Sequence, residues 1–142
     1  MEGINSRMDG LQAAVLQVKM KYINDWTEQR IRHGVEFNQL LTDRFNGDVP
    51  KIRGGCRHVF HLYVIRVNER SNLQKHLQAA GISTAIHYPM ALPYLDAYGH
   101  LGHQPADFPI AYKCQGEVLS LPIYPELTDT MREQVVEAIR EY

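Results

Sequence analysis

Between residues 8 and 42 the chain sets Leu11, Val15, Val18, Tyr22 and Trp26 three or four positions apart, with no proline and glycine only at 10 and 34. That rhythm predicts one long helix over about 8–42. Asp9, followed three residues later by Gln12, has the form of a capping box and puts the start near Asp9. The end falls near Thr42, before Phe45-Asn46-Gly47-Asp48. At 1.5 Å per residue such a helix is about 50 Å long, well beyond the usual three or four turns. Leu16, Met20, Ile23 and Ile31 lie on a second face. One apolar stripe is therefore expected to pack on this domain and the other to require a second body.

Beyond a glycine-flanked loop at 47–55, residues 58–67 are rich in β-branched and aromatic side chains and predict a buried strand. A helix is predicted over 70–80, with Ser71 and Gln74 as a capping box and Gly81 as its stop. Residues 82–88 read as a second strand ended by Pro89, and 90–102 as a loop with a turn or two of helix. A helix over 108–118, a strand at 119–121 and a helix capped by Thr128 and running to about Arg140 complete the chain. The fold class expected is α/β (α+β): a long N-terminal helix, then a small, mainly antiparallel sheet layered with helices.

Composition narrows the possibilities without naming a chemistry. A length of 142 residues suits a single domain over 1–142, and 44% hydrophobic with 22% charged residues is ordinary for a globular chain. A formal charge of -1 lacks the basic surplus of a nucleic-acid binder, and no stretch approaches the roughly 20 apolar residues of a membrane span. The N-terminus has no apolar signal core, so the cytoplasm is the expected location. Lys51, Arg53 and Arg57, beside Gly54 and Gly55, read as a solvated loop. Cys56 and Cys114 have no metal-type or disulfide-type spacing. His58 and His61 would point to opposite faces of a strand. Asp96, His100 and His103 would share a face only on a helix that Gly99 and Gly102 weaken, so no metal site is expected.

Several stretches, in order, carry a resemblance. They are Gly3-Ile4-Asn5-Ser6-Arg7-Met8-Asp9 with Leu11-Gln12-Ala13-Ala14, His61-Leu62-Tyr63-Val64-Ile65-Arg66, and Gly81-Ile82 to Ile86-His87-Tyr88-Pro89. Asp107-Phe108-Pro109, Leu119-Ser120-Leu121-Pro122 and Pro125-Glu126-Leu127-Thr128 follow. Together they resemble the sugar-nucleotide aminotransferases of the StrS type, within fold type I of the pyridoxal-phosphate enzymes. Ala106 stands where that family often has glycine, and Tyr112 where it often has glutamate. The resemblance implies the C-terminal small domain of such an enzyme, preceded by the helix that links it to the large domain.

Transamination needs a lysine to hold pyridoxal phosphate and an acid to keep its ring nitrogen protonated. In the family both lie upstream of the Gly-x-Asn-x-Arg-Met motif, which stands here at the N-terminus. None of Lys19, Lys21, Lys51, Lys75 and Lys113 sits in a segment resembling the Schiff-base motif. No catalytic residue is therefore expected here, and no cofactor for this chain alone. The resemblance assigns Asn5 to the cofactor phosphate of a dimer partner and puts Arg7 near the same cofactor site, against the alternative of a frayed tail before a capped helix. It assigns His87 and Tyr88 to the sugar-nucleotide side of the site, against the alternative that both are satisfied within the domain. Two functions remain open: a fragment of a sugar aminotransferase, inactive alone, or a stand-alone interaction module retaining the fold. The expected partners are a second copy through the long helix or a missing large domain.

Overall fold

The computed structural model describes residues 3, 5–42 and 45–142. Helices α1 (Gly10–Lys19) and α2 (Ile23–Leu41) occupy the span where one long helix was expected. Asp9 caps α1 in both directions, accepting from Gln12 N at 2.7 Å while Gln12 Oε1 accepts from Asp9 N at 3.3 Å. The interruption is a tightening of the helix. Lys21 N bonds Val18 O and Tyr22 N bonds Lys19 O, three residues back instead of four. Tyr22 then stacks on Trp26, with ring centroids 5.7 Å apart.

The C-terminal half of α2 enters the core through His33, Gly34, Phe37 and Leu41. At Gly34 a Cβ would stand 2.5 Å from the ring of Phe60, so only a residue without a side chain lets that ring lie across the helix. Phe60 is fully buried with φ +47, a left-handed turn in the backbone. This shortens the strand expected over 58–67. Strand β1 (Tyr63–Arg66) begins only after the turn has delivered Phe60 onto α2.

Helix α3 (Arg70–Ala79) ends as expected at Gly81, whose φ is +77. Gly81 N bonds Gln78 O and Ile82 N bonds Leu77 O, the paired bonds of a Schellman stop. Its start differs from expectation: Glu69 is the N-cap and makes no side-chain capping bond. The strand expected over 82–88 is reduced to one bridge, Ala85 with Ser120. Short 3-10 turns at Leu92–Tyr94 and Asp96–Leu101 lead to α4 (Pro109–Glu117), which runs directly into β2 (Val118–Leu121). Strands β1 and β2 pair antiparallel, with Tyr63 opposite Leu121 and Arg66 opposite Val118. Asp48 bridges to Arg66 and Ala85 to Ser120 beside this pair.

Helix α5 (Asp129–Arg140) starts at Thr128, whose hydroxyl accepts from Met131 N at 3.2 Å. Its buried stripe of Val135, Val136, Ala138 and Ile139 joins Phe37, Leu41, Tyr63, Ile65, Leu73, Leu77 and Leu119 in one core. A polar tie crosses that core's edge. Arg132, on α5, lies 2.8 Å from Glu36 and 3.0 Å from Asp129, and its Nη1 is 3.3 Å from His33 Nδ1. The Arg132 guanidinium holds the Asp129 carboxyl below its ordinary range. Tyr63 donates to Asn38 Oδ1 at 2.7 Å, and burial pushes its phenol well up.

Candidate functional site

Pro89 ends the segment that bridges to β2, and the chain must turn there because proline supplies no N–H to a ladder. The turn delivers His87 and Tyr88 to the mouth of a cleft of about 540 Å³. Its wall is mainly apolar: Met90, Leu92 and Leu95 from the loop face Ala111, Cys114 and Val118 from α4 and the start of β2. Gln115, also in the wall, is occupied internally, since its Oε1 accepts from Ala91 N at 2.8 Å and ties the loop to α4.

The two residues at the mouth differ. His87 is half-buried, and its Nδ1 lies 2.9 Å from the hydroxyl of buried Ser120. Tyr88 is 72% exposed and meets the His87 ring edge-on at 5.5 Å. The histidine is thus anchored by the domain, and the tyrosine projects from it.

Asn5 and Arg7 lie on the exposed segment before α1, and neither lines the cleft. Ile4, within the same motif, lies outside the described residues. The structure therefore brings His87 and Tyr88 together and leaves Asn5 and Arg7 apart from them.

The residues present do not fit pyridoxal phosphate by themselves. A Schiff base requires a lysine in a walled site, yet Lys19, Lys21, Lys51, Lys75 and Lys113 are all exposed and none lines the cleft. Lys113 points instead to Glu117, 3.6 Å away. Glu117 takes two bonds from Arg66, at 2.6 and 3.2 Å, and that guanidinium holds its carboxyl below the usual range. Among the described residues no group of three or more metal-ligating side chains converges. No helix there is long and apolar enough to cross a membrane.

Sequence reasoning missed Ser120 and Gln115 as supports of the site, and Met90, Leu92, Leu95 and Cys114 as its wall. The Leu-Ser-Leu-Pro stretch was visible, but pattern alone gave its serine no partner. The contact with His87 spans 33 positions and exists only through the bridge to Ala85.

Comparison with known proteins agrees on one assignment. Residues 1–140 match the model of the DegT/DnrJ/EryC1/StrS aminotransferase family. The chain is 41% identical to a Geobacillus stearothermophilus protein named pleiotropic regulatory protein. It is 37% identical to dTDP-3-amino-3,6-dideoxy-alpha-D-galactopyranose transaminase of Aneurinibacillus thermoaerophilus. In each case 99% of this chain is covered but only 38% of the relative. The solved structure of S. venezuelae DesV in complex with a ketimine intermediate matches with a TM-score of 0.90 at 33% identity, over 99% of this chain and 38% of that one. A Brucella abortus aminotransferase of the same family gives 0.87 at 34%, over 98% and 37%. The chain thus spans about 38% of the length of the curated relatives it matches. With a family match over nearly every residue and a shared fold, this chain belongs to the DegT/DnrJ/EryC1/StrS aminotransferase family.

Proposed function

We propose that this chain provides the substrate-side small domain of a pyridoxal-phosphate-dependent sugar aminotransferase and does not transaminate alone. The observation that carries the reading is the pairing of a near-complete match to this chain with the 38% share of a sugar-nucleotide transaminase that it covers. In this reading the cofactor, when bound by the remaining part of the enzyme, supplies the electron sink for amino transfer. His87 and Tyr88 face the sugar nucleotide from the cleft mouth. Asn5 and Arg7, exposed and unengaged by the cleft, reach the cofactor phosphate of a partner subunit, where an amide and a guanidinium suit an anion.

A second reading, a stand-alone interaction module, draws support from the exposed apolar side chains of α1 and from the regulatory name of the Geobacillus relative. It requires a protein partner instead of a sugar nucleotide.

The test is spectroscopic. The purified chain, incubated with pyridoxal phosphate and freed of excess, is expected to show no stoichiometric visible band. A band abolished by replacing one particular lysine would overturn the claim that this chain forms no aldimine. Adding the separately produced large domain of a relative should restore amino transfer if the first reading holds, and leave it absent if the second does.

A further inference from the structure

Four histidines meet a hydrogen-bond partner, two of them through Nε2 to a carbonyl and two through Nδ1, where His58 accepts from Phe60 N at 3.0 Å. His33 Nε2 lies 3.3 Å from Pro125 O, and His76 Nε2 lies 2.8 Å from Ala138 O. A carbonyl oxygen only accepts, so both rings carry a proton on Nε2 and spend it inside the fold. His33 Nδ1 in turn accepts from Arg132 Nη1. His87 is reversed. Its Nδ1 meets Ser120 Oγ at 2.9 Å, and its Nε2 has no protein partner among the described residues.

A hydroxyl can donate or accept, so the proton must be located from the serine's side. Ser120 is 4% exposed, and its backbone N–H and C=O are both engaged by Ala85, at 2.7 and 3.1 Å. Among the described residues its Oγ has no other hydrogen-bond partner than His87. If His87 Nδ1–H donated, the serine proton would be buried with nothing to receive it, and its lost hydration would go unreplaced. If the hydroxyl donates to the Nδ1 lone pair, both groups are satisfied.

We propose that Ser120 is a positioning residue that locks the neutral His87 ring in its Nε2–H form, so that the imidazole offers a donor at the cleft mouth to an oxygen acceptor of the ligand. This rests on the reading of His87 as ligand-facing. With Nδ1 turned to β2, the opposite nitrogen is directed away from that strand. In this form Nε2 has no lone pair to give, so His87 binds and orients an acceptor oxygen and does not remove a proton from the ligand.

The test uses the intact chain labelled with nitrogen-15. Long-range proton–nitrogen spectra are recorded about two pH units above the ordinary histidine value of roughly 6.5, where imidazoles are neutral. His33 and His76 serve as internal standards, and the signals lost in His87→Gln identify the His87 ring among the seven histidines. The expected result is a protonated Nε2 and a bare Nδ1 on His87; the opposite pattern overturns the tautomer. Ser120→Ala should give His87 a mixture of the two forms while His33 and His76 stay unchanged, and Ser120→Thr should restore the single form. If Ser120→Ala does not fold, the wild-type spectrum and Ser120→Thr decide. Titration with dTDP then tests the underlying reading: His87 Nε2–H is expected to shift on binding. A His87 signal unmoved by millimolar dTDP after the unlabelled large domain of a relative has been added overturns the ligand-facing role, independently of the tautomer result.

Discussion

Helices α1 and α5 are near-equals in length, 10 and 12 residues, and each begins at a capping side chain, yet no residue of α1 is buried and five of α5 are. The difference lies in how the apolar residues are distributed. On α5, Val135, Val136, Ala138 and Ile139 lie toward one side, and each large side chain that leaves water there is worth about 1.5–3 kcal/mol. On α1 the apolar residues reach every side, with Leu11, Val15 and Val18 on one stripe, Leu16 on a second and Ala13 across from the first, and the four large ones are all at least 48% exposed. A free helix of 10 residues is marginal in water, since isolated helices below about 12–15 residues rarely persist. Caps and periodicity therefore specify that a helix forms; only the width and direction of its apolar face tell what it packs on.

The sharpest way to break this contrast is at the packed end. Phe60→Ala removes a fully buried ring that lies across Gly34 and should cost about 3–5 kcal/mol, the range for emptied aromatic sites. Gly34→Ala acts on the same contact from the other side. It drives a methyl into the ring and should cost about 1–3 kcal/mol. Chemical denaturation of both single variants and the double variant measures this. The double variant should lose less than the sum, because the methyl then meets space left by the ring. Strict additivity would mean that the ring does not rest on Gly34.

A smaller effect is expected from Glu117, at the junction of α4 and β2. Arg66 lowers the pKa of this carboxyl in the folded chain, so the unfolded chain binds its proton more readily. Its contribution is complete above the unfolded value near about 4.3 and is lost as pH falls from there toward the folded value. Glu117→Gln should flatten the dependence of stability on pH in that acid window. Equal slopes for variant and wild type, from urea melts at stepped pH, would exclude the Arg66 pairing as its source.

The packed end was also the more legible one. Gly81 and Thr128 announced their helix ends because the backbone there needs a left-handed residue or an oxygen for a free N–H, requirements local to a few residues. The strand limits were not legible. Phe60 belongs by composition in a strand, and only its docking on Gly34 bends the backbone away. Residues 82–88 alternate plausibly, but just Ala85 finds a partner. At the site, His87 and Tyr88 stood out because a proline follows them. Ser120 did not, because its role depends on a contact that no local pattern encodes. The two-stripe helix predicted a need for a second body, yet one stripe was also expected to pack on this domain. On α1 both stripes are exposed, and Trp26 and Ile31 become half-buried only within α2.

The effect smallest in stability and largest in behaviour belongs to that exposed end. Met20 and Ile23, at 64% and 42% exposure, lie at and just after the tightened turn, on the second stripe with Leu16. Contiguous apolar surface beyond a few hundred Å² is uncommon on stable monomers, and a two-fold contact covers one such patch with its own copy. The isolated chain is accordingly expected to self-associate through this stripe. Met20 and Ile23 are both exposed, so Met20→Glu and Ile23→Glu should each change folding stability by no more than about 0.5 kcal/mol. Each should nevertheless shift the light-scattering mass toward the monomer, because a carboxylate placed against its own symmetry mate meets an equal charge. A chain that is monomeric at high concentration, with a mass unaltered by either substitution, would show that the open faces of α1 need no partner, and the contrast with α5 would then concern packing alone.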